Sequence, residues 1–287
     1  PHVLFRSSAI DGNYGRLALA PLDDPAGPRA VTGLQCERVS VAAGRGVCLA
    51  ADRGFLTTYR AVTFGPDFRP VHELRLAGSP SRVRVSPDGG LAAVTVFVTG
   101  HSYAAEGFST ATTLLDLRTG AELGNLEEFA VSRDGQRFWS QDFNFWGVTF
   151  TGDGHRFYAT LATGGQTHLV EGDVAARSAR VLRDNVECPS LSPDGTRLVF
   201  KKRVGPDGPV TWRLHLLELD TMRETPLAET RNVDDQAEWL DDGQVLYALP
   251  RDPRTPTAAT DTWAVAVEGR AAPRLFLAHG DSPAVVR

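Results

Sequence analysis

Apolar residues in this chain come in short runs of strand length, and polar punctuation recurs between them. Arg82-Val83-Arg84-Val85 alternates strictly, as a strand with one buried face does. It runs into Ser86-Pro87-Asp88-Gly89, and a second apolar run, Leu91-Ala92-Ala93-Val94-Thr95-Val96, follows. The same order recurs downstream. Gly147-Val148-Thr149-Phe150 leads into Thr151-Gly152-Asp153-Gly154, Pro189-Ser190-Leu191 into Ser192-Pro193-Asp194-Gly195, and Ala237-Glu238-Trp239 into Leu240-Asp241-Asp242-Gly243. Phe129-Ala130-Val131 before Ser132-Arg133-Asp134-Gly135 is a further copy. Proline presets φ, aspartate bonds back to the local backbone and glycine accepts positive φ, so each unit predicts a tight hairpin. No run carries the 3.6-residue period of an amphipathic helix.

Third strands follow the hairpins: Thr113–Leu117, Thr167–Glu171, Arg213–Leu219 and Thr262–Val267. Short polar fourth strands come after them, as in Ala179–Leu182 and Arg223–Leu227. Four antiparallel strands repeating every roughly 40 to 50 residues are the signature of a propeller blade. The expected fold is therefore all-β, a six-bladed β-propeller forming one domain over residues 1–287. Its blades fall at about 36–78, 80–142, 143–183, 185–230 and 232–279. The sixth is shared between the termini: Asp281–Val286 inserts as the innermost strand beside His2–Arg6, which leaves no open sheet edge. Leu126–Phe138 reads as an extra hairpin on the outer edge of the 80–142 blade, with a seven-bladed count as the alternative.

At the Ser-Pro-Asp-Gly units the chain resembles the TolB-like propeller repeat, most clearly over Leu191–Phe200. Asn144–Phe150 and Glu187–Gly195 resemble segments of actinobacterial TolB-like translocation proteins. The segment Val41-Ala42-Ala43-Gly44 departs from the motif by lacking Asp-Gly. The resemblance implies an extracytoplasmic protein, made with an export signal or anchor, that engages a protein or peptide of the cell envelope. The chain starts at Pro1 with a strand-like His2-Val3-Leu4-Phe5, so removal of an N-terminal segment is expected.

Composition narrows the partners. The net charge of −5 and pI of about 5.8 argue against nucleic acid, which needs a basic patch. No apolar run approaches the roughly 18 residues of a membrane span. Positive charge is almost all arginine, Lys201 and Lys202 being the only lysines. Of the three cysteines, Cys36 and Cys48 flank a turn and either form a disulfide or pack as two small hydrophobes; Cys188 is left over and buried. A monomer is expected.

Propellers place ligands where loops lead into the innermost strands. Stepping back four positions from the last apolar residue before each turn gives Glu37, Ser81, Trp146, Glu187, Asp235 and Ser282. Arg82, Asn144, Asp234, Gln236 and Asp281 lie at similar height, with Phe145 beside Trp146. Converging carboxylates repel unless a positive charge sits among them. Glu37, Glu187 and Asp235 are therefore candidate ligands for Ca²⁺ in the channel; the alternative is solvation, or pairing with Arg38 and Arg82. Asp241 and Asp242 belong to a turn. The histidines lack His-x-x-x-His spacing, and His168 and His215 occupy equivalent third-strand positions. The long loop Val98–Ser109 brings His101, Tyr103 and Phe108 over the mouth, and Pro250–Asp261 is a second long insertion. These residues, with Phe145 and Trp146, form the expected contact surface. No Gly-x-Ser-x-Gly elbow or phosphate loop is present. The functional expectation is a non-catalytic binding scaffold, and the alternative is a metal-dependent lactonase or lyase at the channel mouth.

Overall fold

The computed structural model describes residues 1–104, 107–205, 210–255 and 259–287. Strands β1 (His2–Ser7), β2 (Arg16–Pro21) and β3 (Ala30–Gln35) open the chain. The second blade is β4 (Arg38–Ala42), β5 (Arg45–Arg53), β6 (Thr57–Phe64) and β7 (Pro70–Leu76). The third is β8 (Ser79–Val85), β9 (Leu91–Thr99), β10 (Ser109–Asp116) and β11 (Glu122–Asn125). A short hairpin, β12 (Ala130–Arg133) and β13 (Gln136–Phe138), precedes the fourth: β14 (Asn144–Phe150), β15 (Arg156–Thr163), β16 (Gln166–Asp173) and β17 (Ser178–Asp184). The fifth is β18 (Glu187–Leu191), β19 (Arg197–Val204), β20 (Thr211–Glu218) and β21 (Glu224–Pro226). The sixth is β22 (Glu238–Trp239), β23 (Gln244–Pro250), β24 (Thr260–Ala266) and β25 (Arg274–Leu277). Last comes β26 (Gly280–Val286), which pairs antiparallel with β1 through Val3↔Val285 and Leu4↔Ala284. The sheets number six, so the chain is a six-bladed propeller closed by its own two ends.

The hairpins form for the reason the sequence suggests. Ser86 Oγ donates to Asp88 Oδ1 at 2.5 Å, the Gly90 N–H donates to the same oxygen at 3.0 Å, and Gly89 takes a φ of +70°. Ser192 and Asp194 repeat the arrangement. Outer strands such as β7 alternate between exposed and half-buried, and inner strands are buried on both faces. Each core cluster lies between neighbouring sheets, as where Val47 and Leu49 of the second blade meet Val83, Val94 and Leu115 of the third. Cys36 and Cys48 form a disulfide with a Cα–Cα separation of 5.4 Å, and Cys188 is free and buried.

One expectation is corrected. The Leu126–Phe138 hairpin belongs to the fourth blade, not the third. Its β12 runs parallel to β17, with Ala130↔Ser178 and Val131↔Ala179, making a six-stranded sheet. Phe129 packs on Phe157 at 6.0 Å and Val131 is buried, so the hairpin covers an otherwise bare edge. Among the described residues, no helix is long and apolar enough to cross a membrane.

Candidate functional site

Antiparallel order puts the β1–β2, β5–β6 and β9–β10 loops on one face, with the segments leading into the innermost strands. The Ser-Pro-Asp-Gly turns lie on the other. On the loop face the predicted acids do gather around the channel, but each has a partner from the protein. Glu37 accepts from Arg53 at 2.7 Å and lies 3.8 Å from Arg6. Asp281 accepts from Arg6 at 2.9 Å. Asp234 accepts from Lys201 at 2.6 Å and lies 3.4 Å from Arg82. Glu187 is fully buried and accepts from Arg203 Nε at 2.5 Å and from Trp212 Nε1 at 3.0 Å. Asp235 accepts the Ala248 N–H at 2.9 Å.

Arginine, indole and main-chain donors thus hold at least one oxygen of each of Glu37, Glu187 and Asp235, while Glu187 Oε2 is buried without a hydrogen-bond partner. Among the described residues, no three His, Cys, Asp or Glu side chains are placed to hold a metal ion.

Burial works against the Asp234 carboxylate, yet Lys201 and Arg82 hold its pKa below the ordinary value. Burial likewise opposes the charge of Lys201, and Asp234 overrides it and raises the pKa. Asp281 goes the other way: burial pushes it up, and Arg6 offsets only part of that.

Tyr103 plugs the mouth from the β9–β10 loop. It stacks on Trp146 at 4.6 Å, packs against Phe97 at 4.8 Å and Phe108 at 5.5 Å, and its hydroxyl bonds to Ser81 Oγ. Arg82 sits 5.3 Å from its ring centre, and Lys201 lies 4.4 Å over Trp212. Burial pushes the Tyr103 phenol up against the pull of Arg82.

Three expected contact residues are buried: Phe145 and Trp146 wholly, and Tyr103 to within 3%. Phe145 packs with Phe150 and Phe157 in the core between blades, and Trp146 lies under Tyr103. A bulge explains the misplacement. The β14–β15 register shifts between Trp146 and Thr149, and Gly147 takes a φ of +62°. A Cβ on Gly147 would stand 2.5 Å from Cys188 Cα in the next blade. Cys188 and Ser282, at like places in β18 and β26, also have positive φ. His101 stays exposed, with Nδ1 3.3 Å from Ser79 Oγ. His168 and His215 face Asp184 and Glu224 on adjacent outer strands. Within the two long loops, Ala105, Glu106 and residues 256–258 lie outside the described residues.

No family model matches the chain, and no curated protein is similar to it in sequence. Solved structures are similar in fold. TolB from Acinetobacter baumannii superposes with a TM-score of 0.61 at 15% identity, over 99% of this chain and 65% of that one. The putative TolB from Agrobacterium tumefaciens gives 0.58 at 12% identity, over 98% and 90%. This chain has the TolB-like propeller fold. A chain of a nidogen/laminin complex also matches, with a TM-score of 0.62 at 10% identity, over 99% and 97%. The chain therefore spans just under two thirds of the Acinetobacter TolB and most of the Agrobacterium protein.

Two features of this TolB-like propeller escaped the sequence reading. One is the cation set of the mouth: Arg6, Lys201 and Arg203. A lysine kept inside a chain that otherwise uses arginine was the available signal. The other is apolar. Ile10, Tyr14, Phe55, Leu56 and Val98 are exposed at hairpin loops and strand ends of three neighbouring blades on the loop face, Phe55 fully and Ile10 and Leu56 at 78% and 74%. Exposed Val31, Val71, Leu123 and Leu275 lie instead on outer strands. Two large apolar residues at a hairpin tip, where turn formers are usual, were the signal. At the other end the channel widens into a cavity of about 380 Å³ lined from all six blades, by Ser40, Arg84, Thr149, Ser192, Trp239 and Val285 among others.

Proposed function

We propose that this chain is a non-catalytic, extracytoplasmic binding propeller that docks a protein or peptide of the cell envelope on its loop face. The observation that carries this reading is the apolar group Ile10, Tyr14, Phe55, Leu56 and Val98, exposed together on one face. Large apolar side chains exposed at the loop tips of one face are what an interaction surface offers. The group is continuous with the mouth: Arg6 lies 4.8 Å from the Tyr14 ring, and Glu37 links Arg6 to Arg53, two residues before Phe55.

Further support comes from the acids of the mouth, each of which has an internal hydrogen-bond or ion-pair partner. The Cys36–Cys48 disulfide suits an oxidising compartment. The TolB-like fold agrees with an envelope role, and the nidogen/laminin match is a propeller solved in a complex.

The test replaces Phe55 and Leu56 together by serine. Surface changes of this kind alter stability by no more than about 0.5 kcal/mol. The variant should melt with the wild type and lose the partner that wild-type chain cross-links in envelope extracts, while Leu123→Ser on an outer strand keeps it. Retention of the same cross-linked partner by the loop variant refutes the docking face.

A further inference from the structure

The innermost strands enclose a second, smaller cavity of about 30 Å³ beside the turn-end funnel. Arg38, Ser40, Arg82, Arg84, Asp235 and Ser282 line it, drawn from four blades. Its volume suits one or two water-sized occupants.

The wall carries a surplus of donors. Arg82 is 6% exposed, and its Nε–H is buried with no hydrogen-bond partner. The Arg84 Nε–H is buried and unpartnered as well. Arg38 donates only to main-chain oxygens, those of Ser81 at 3.0 Å and Glu37 at 3.4 Å. Charge is in surplus too. Glu238 answers Arg84, and Asp234 is already taken by Lys201 at 2.6 Å. Around the cavity Arg6, Arg38, Arg82 and Lys201 share three carboxylates, Asp234, Asp235 and Asp281, and one Asp235 oxygen is held by the Ala248 N–H. Ser282 is satisfied by Val39, whose N–H it accepts and whose carbonyl it donates to.

We propose that this cavity is a binding site for a small monovalent anion of the size of chloride. An unpartnered guanidinium N–H in a low-dielectric interior is costly, and a negative acceptor repays it more than water does. Water would bring its own protons into a wall already rich in them. The anion would tie Arg38 of the second blade to Arg82 and Arg84 of the third. It would thus act as a counter-ion between two blades, next to the closing strand that carries Ser282.

The experiment uses the whole chain. Melting is followed in sodium chloride and in sodium gluconate at equal ionic strength, and crystals are grown with bromide in place of chloride. The expected result is a saturable rise in melting temperature with chloride that gluconate does not reproduce. A bromide anomalous peak should appear within hydrogen-bond reach of Arg82 Nε and Arg84 Nε. Arg38→Gln, which removes one charge but no buried ion pair, should weaken half-saturation by roughly tenfold or more. Equal effects of chloride and gluconate, or bromide peaks confined to surface arginines, overturn the proposal. Should Arg38→Gln fail to fold, the bromide map of the wild type decides alone.

Discussion

The ion pair of Lys201 and Asp234, buried only on the lysine side, should respond very differently to loss of one partner or the other. The Lys201 ammonium is wholly buried, 2.6 Å from Asp234 and 4.4 Å over the Trp212 ring. The Asp234 side chain is 40% exposed and has Arg82 as a second cation at 3.4 Å. In Asp234→Asn the ammonium stays buried without its counter-charge. Breaking a fully buried pair this way costs about 3–5 kcal/mol. Because water reaches Asp234, the loss here should be smaller, about 2–3 kcal/mol. In Lys201→Met an unbranched apolar chain keeps the packing against Trp212 and Tyr103, and Asp234 falls back on Arg82 and solvent. That change should cost no more than about 1 kcal/mol. Combining the two should cost little more than Lys201→Met alone, giving a coupling energy of about 2 kcal/mol. Urea unfolding followed by tryptophan fluorescence, with m-values checked for constancy, measures all four proteins. If Lys201→Met is as damaging as Asp234→Asn, the pair is not governed by desolvation of the ammonium and the reasoning fails.

Two further outcomes are expected. Replacing Cys36 and Cys48 together by alanine opens a loop with a sequence separation of 12, and loop-closure entropy puts the loss at about 3 kcal/mol in urea unfolding; a loss under about 1 kcal/mol would contradict it. Glu127 is pushed up to about 7 by burial, against the Thr112 and Phe145 N–H groups that it accepts. The folded state therefore holds this proton more tightly than the unfolded chain. Stability from this group is complete below the unfolded value of 4.5 and is lost as pH rises through about 7. Glu127→Gln should flatten the stability profile over that window by about 3 kcal/mol, and an unchanged slope would show that another group titrates there.

Much of the fold was legible because it is written locally. Ser86–Gly89 and Ser192–Gly195 fold into their turns through contacts within four residues, and the runs beside them alternate as strands must. Ring closure was legible as well, since Asp281–Val286 repeats the pattern of a first strand that no other blade lacked.

The site was legible only as a composition. Counting back from each turn found the height at which Glu37, Glu187, Asp235 and Asp281 gather, but not which way side chains point. Bulges at Gly147, Cys188 and Ser282 reset the alternation of inner strands at that height, so Phe145 went into the core and Trp146 beneath Tyr103. A bulge depends on how closely the neighbouring blade approaches, as Gly147 approaches Cys188, and nothing within one strand specifies that. Pairing was hidden for the same reason: Lys201 meets Asp234 across 33 residues, and Arg6 meets Asp281 across 275. Sequence alone determined the strands, turns and closure, because hydrogen bonds to near neighbours fix them. Only the assembled ring decided which acids met cations and which apolar tips stayed in water, because burial and charge pairing are set by residues distant along the chain.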